Sequence, residues 1–135
     1  MTKYVQVLNA TRQRSVLGDR IAVAESRWAR ARGLLGRPLM QPGQGMMLTG
    51  TRAIHTWGMR QVLDVIFIDR QGQVVRTYAG LRPKRFTAWH LRAAYALELP
   101  PGTIVATATQ VGDTLVWLPV ADSPGEVGAT AHSEG

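Results

Sequence analysis

The run Leu63-Asp64-Val65-Ile66-Phe67-Ile68-Asp69, the connection Arg70-Gln71-Gly72-Gln73 and the return Val74-Val75-Arg76-Thr77-Tyr78 constrain this chain more than any other stretch. β-Branched and aromatic side chains suit a pleated, packed surface. A glycine within the connection supplies the positive φ that a tight reversal needs. The pattern predicts an antiparallel hairpin. Shorter runs of the same type recur at Tyr4–Leu8, Arg20–Ala24, Met46–Thr49, Ala53–Trp57, Ala94–Leu99 and Thr114–Leu118. Turn formers separate them, among them Gly18-Asp19, Gln41–Gly45, Gly58, Pro100-Pro101-Gly102 and Val111-Gly112-Asp113. One segment has a different period. Ser26 suits an N-cap, Trp28, Ala31 and Leu35 share a helical face, and Pro38 ends the helix. Residues 103–109 fit either a strand or one helical turn. Many short strands with one or two short helices predict a mainly β fold, either a β-sandwich or a partly closed barrel.

At 135 residues the chain fits one domain. We assign residues 1–120 to it and read 121–135, small, polar and acidic, as a disordered tail. No cysteine is present, which excludes disulfides, thiolate metal clusters and thiol catalysis. No apolar run approaches the roughly 20 residues that span a bilayer. The first residues alternate polar and apolar side chains, unlike a signal peptide, so a cytoplasmic location and no membrane partner are expected. Charge is distributed unevenly. All sixteen bases lie at or before Arg92 with only four acids among them, and five acids with no base follow. Such asymmetry suits an anionic partner. Fourteen of the bases are arginine, however, as a codon bias would also produce.

Three motif groups occur in order. They are Arg32-Gly33-Leu34-Leu35-Gly36-Arg37 with Gly45-Met46-Met47-Leu48; Ile54-His55-Thr56-Trp57-Gly58-Met59 running into Leu63–Asp69 and Gly72–Val75; and Leu97-Glu98-Leu99-Pro100 with Val111-Gly112-Asp113. In that order they resemble domain-of-unknown-function family 192, a family of small prokaryotic proteins, over residues 5–118. The resemblance implies a compact β-sandwich of jelly-roll type and no established activity. Where many members carry a tryptophan-methionine-lysine-asparagine-threonine run, this chain has His55–Met59. No role for the absent lysine or asparagine is carried over.

Two groups of residues stand out. Arg37, His55, Thr56, Trp57, Met59 and Asp64 form a candidate ligand-binding set. Asp64 begins a strongly apolar strand, where a carboxylate must be hydrogen-bonded or paired. It is therefore either a ligand anchor, a partner of Arg37, or a bracket for loop amides. Along a strand His55 and Thr56 face opposite sides, whereas His55 and Trp57 share one. No triad is completed, so no catalytic residue is assigned. The second group is the loop Arg82, Lys84 and Arg85 with Trp89 and Arg92, a mixture of bases and aromatics that suits an anion or single-stranded nucleic acid. Phe86 and Trp89 could equally be core plugs. The Met40, Met46, Met47 and Met59 side chains read as core filler. His55, His90 and His132 are far apart in sequence, so no metal and no cofactor are expected.

The preferred reading is a monomeric, non-catalytic binding or accessory domain for a protein or small anionic ligand. One alternative is an enzyme of small anionic or sugar-like substrates, which needs at least two of His55, Asp64 and Arg37 in one pocket. The other is nucleic-acid binding through residues 82–92.

Overall fold

The computed structural model describes residues 3–25 and 39–120. Its strands are β1 (Lys3–Asn9), β2 (Ser15–Ala24), β3 (Gln44–Thr49), β4 (Leu63–Ile68), β5 (Val74–Leu81), β6 (Tyr95–Leu99) and β7 (Leu115–Val120). A 3-10 turn at Ala10–Arg12 and one short helix, α1 (Thr103–Thr107), complete the described elements. The strands form one mixed sheet in the order β5-β4-β6-β3-β2-β1-β7, with β2 and β3 parallel and every other pair antiparallel. The sheet is not closed. Its two margins nevertheless meet at one corner, where Val74 N–H donates to the Asp113 carbonyl and Leu115 N–H to the Gly72 carbonyl, each at 2.8 Å. The mainly β, single-domain architecture expected from the sequence is present.

β4 organises the core. All six of its residues are buried, because both faces of the sheet are covered there. Ile66 and Ile68 join Val7, Ile21, Met47, Leu97, Leu99 and Ile104 of α1 on one side. Leu63, Val65 and Phe67 join Ala22, Met46, Leu48, Ile54 and Ala96 on the other. Burying each such aliphatic or aromatic side chain contributes about 1.5–3 kcal/mol before chain entropy is subtracted. Apolar residues at consecutive positions follow from this two-sided burial, and the unbroken Val65–Ile68 run is its signature.

The predicted hairpin is present. Asp69 closes it, its Oδ1 accepting from the Gln71 and Gln73 amides, each at 2.9 Å. Gly72 has φ 91°, and a Cβ there would lie 2.8 Å from the Leu115 carbonyl oxygen. Two expectations differ from the structure. Gly18-Asp19 is not a turn but lies within β2, where Gly18 permits close approach to the Gly43 carbonyl and to Ile21. Residues 53–57 form no strand; His55 makes only an isolated bridge to Phe86. Of the two readings open for residues 103–109, Thr103–Thr107 takes the helical one, in spite of its β-branched residues. The expected helix after Ser26, Arg37 with its glycine motif, and the 121–135 tail lie outside the described residues.

Candidate functional site

The two candidate groups meet in space. Segments 54–57 and 84–87 run antiparallel as a short ribbon beyond the sheet, joined by Thr87 N–H to the Ile54 carbonyl at 3.0 Å and Thr56 N–H to the Arg85 carbonyl at 2.9 Å. Burial alternates along the first segment, with Ile54 and Thr56 inward and His55 and Trp57 outward. That confirms the expected division of faces, although the pairing is a bridge rather than a strand.

Thr56 is fully buried and pins the ribbon. Its hydroxyl donates to the Arg82 carbonyl at 2.6 Å and accepts from the Arg85 amide at 2.8 Å. Its own carbonyl accepts from Lys84 N–H and Met59 N–H, each at 3.2 Å. Lys84 adopts φ 62°, a left-handed geometry uncommon for a residue with a side chain. The loop is therefore shaped, not merely solvated.

Inward fixation presents aromatic rings outward. Phe86 lies 6.1 Å from the His55 ring and 6.3 Å from the Trp57 ring. Phe86 is 72% exposed and Trp57 51%, so neither plugs the core. Trp89 is likewise 57% exposed. Arg82, Lys84 and Arg85 are exposed beside these rings. Residues 51–63 and 70–97 contain no carboxylate at all. Arg92 sits apart, in a shallow depression with Arg52, Arg70 and the exposed Leu91.

Met59 faces a second feature, a pocket lined by Tyr4, Arg20, Met40, Met46 and Arg60. Asp64 belongs to neither. It is 1% exposed, and its Oδ1 accepts from the Gly80 amide at 2.9 Å while Oδ2 accepts from the Ile104 amide at 2.8 Å. These bonds are the loop-amide bracket envisaged from the sequence. Asp64 and the exposed His55 thus occupy different environments. Among the described residues no cluster of His, Asp or Glu is arranged to hold a metal.

Three polar residues have roles that sequence reasoning did not assign. Glu98 is fully buried on the same side of β6 as Ala96, opposite Val65 and Met46 in register. A carboxylate between Leu97 and Leu99 was the available signal. Asp113, also buried, receives Asn9 Nδ2 at 3.0 Å and Arg12 Nε at 3.0 Å. Burial works to raise its carboxyl, and hydrogen bonds from Arg12, Asn9 and the Gln110 amide outweigh that, holding it below the ordinary value of 3.8. His90 packs 4.7 Å from the Phe67 ring and 2.7 Å from the Tyr78 hydroxyl. Burial, then the charge of Arg76, lowers its pKa, so the imidazole is neutral at pH 7.

The family model for DUF192, described as "Uncharacterized ACR", matches residues 7–117. The chain belongs to the DUF192 family. A UPF0127 protein of Thermococcus sibiricus is 32% identical over 115 residues, 82% of this chain and 73% of the relative. A UPF0127 protein of Pyrococcus furiosus is 38% identical over 65 residues, spanning 48% of this chain and 55% of the relative. Two solved structures share the fold seen here. A Sinorhizobium meliloti protein described as a candidate transcription regulator aligns with TM-score 0.70 at 23% identity, covering 87% of this chain and 94% of its own. A Novosphingobium aromaticivorans protein of unknown function aligns with TM-score 0.71 at 19% identity, covering 86% of this chain and 85% of its own. No described helix is long and apolar enough to cross a membrane.

Proposed function

We propose that this DUF192 protein is a non-catalytic binding domain whose recognition surface is the ribbon of segments 54–57 and 84–87, and that its partner is single-stranded nucleic acid. The observation carrying this reading is the set of exposed rings of Trp57 and Phe86 beside exposed Arg82, Lys84 and Arg85. Flat rings accept stacked bases without regard to sequence, and each base stacked contributes about 1–3 kcal/mol. Arginine and lysine at the same surface neutralise the phosphates that link those bases. A duplex offers the charge but hides its base faces. Joining His55 and Trp57 to the basic loop favours this partner over the small anionic ligand, for which an open ribbon gives little enclosure.

Fluorescence anisotropy with labelled oligothymidylate and with a duplex of equal length tests the proposal. The single strand should bind more tightly, with log affinity falling by about 0.7 per neutralised phosphate for each decade of salt. Trp57→Ala should weaken binding by roughly tenfold at every salt concentration. Lys84→Gln should reduce the salt slope by about one contact. Equal affinity for single strand and duplex, or no effect of Trp57→Ala, would remove the stacking surface from consideration.

A further inference from the structure

The ribbon has a third rung. Besides the bonds that join Thr56 to Arg85 and Thr87 to Ile54, His90 N–H donates to the Arg52 carbonyl at 2.9 Å. From Ile54 to Arg52 is two residues, whereas from Thr87 to His90 is three. An extra residue on one side of a pairing re-aims the side chains around it. His90 turns inward there, 4.7 Å from the Phe67 ring and with its Nε2 2.7 Å from the Tyr78 hydroxyl. Trp89 beside it is left 57% exposed. The arrangement repeats that of Thr56 and Trp57, an inward anchor next to an outward ring.

The residues after the third rung, Leu91 and Arg92, line the shallow depression together with Arg52 and Arg70. Arg52 Nε donates to the Ala93 carbonyl at 3.3 Å, which holds its guanidinium at that wall. Asp69 is the acid of the described lining, and its Oδ1 accepts from the Gln71 and Gln73 amides, each at 2.9 Å. Three guanidinium groups on one surface repel each other, and a phosphate seated among them relieves that repulsion. The depression measures about 860 Å³, within the range of small-molecule sites, so a nucleotide unit fits. Building on the ribbon as a single-strand surface, we infer that the bound strand runs on from Trp57 and Phe86 across Trp89 and seats its next phosphates among Arg52, Arg70 and Arg92. The protein thereby selects strands long enough to span all three rings.

Strand length and substitution test this together in the full chain. The probes are labelled oligothymidylates, a dinucleotide and a strand of about six, inside the site sizes that such surfaces cover. Lengthening should raise the affinity of the wild type roughly tenfold more than that of Trp89→Ala, a change at an exposed position, because the additional stacked base is lost there. The gain from more binding registers on a longer strand is common to both proteins and cancels. For the longer strand, Arg92→Gln should reduce the fall of log affinity per decade of salt by about 0.7. Equal gains in wild type and Trp89→Ala, or an unchanged salt slope in Arg92→Gln, overturn the extended path. If Trp57→Ala still weakens binding in that case, the ribbon reading stands; if Trp57→Ala is also silent, both fall.

Discussion

Thr56 illustrates how one buried hydroxyl fixes an exposed surface. Its Oγ1 is both donor and acceptor to a loop about 30 residues later in sequence, at 2.6 Å and 2.8 Å. Thr56→Val keeps the shape and removes both bonds, leaving the Arg85 amide without this partner. A loss of about 1–3 kcal/mol in urea unfolding is expected, with most of it restored in Thr56→Ser. Binding should fall as well, since the rings lose their support. Asp113 gives a pH-dependent counterpart. Its folded carboxyl lies below 3.8, so the stabilisation is complete above about pH 4 and disappears as pH falls through the lowered value. Asp113→Asn should therefore be less stable at neutral pH, and its stability should change less than the wild type's below pH 4. Parallel acid dependence in the two proteins would contradict that role. His90 follows the same direction at higher pH. Its lowered pKa means that acidification below 6.5 requires a proton to be placed on a packed ring, and stability declines there.

At the scale of elements, what could be read from sequence was what local pattern determines. The β4–β5 hairpin was legible because a strand buried on both faces needs apolar residues throughout and its reversal needs Gly72. Gly72→Ala should cost more than about 1 kcal/mol, since the positive φ and the contact with the Leu115 carbonyl both oppose a Cβ. A thermal midpoint unchanged by that substitution would be inconsistent with the structure. The choice between strand and helix at α1 was left open by the sequence for a physical reason. Thr103, Ile104 and Val105 favour strands, and Gly102 at the N-cap offers no side-chain acceptor. The acceptor comes instead from Asp64, 40 residues earlier, through its bond to the Ile104 amide. Gly18 misled in the opposite way, marking close backbone approach inside β2 where a turn was expected. The ribbon itself was half legible. Outward alternation of His55 and Trp57 followed from spacing, but their meeting with Phe86 depends on the register between distant loops.

Taken whole, the molecule carries most of its described bases, and the exposed rings of Trp57, Phe86 and Trp89, on connections outside the sheet. The curled sheet supplies rigidity, and its buried strand β4 fixes the loops that precede and follow it. The ribbon and the pocket share one connection, residues 53–61, with His55 and Trp57 turned to solvent and Met59–Gln61 lining the pocket. This division lets each surface be probed without the other. The most direct test of the central claim is a map of backbone amide chemical shifts during titration with oligothymidylate. Changes concentrated in residues 54–57 and 84–87 are the expected result. Changes centred on the Arg52, Arg70 and Arg92 depression, or spread without focus over the basic surface, would contradict it.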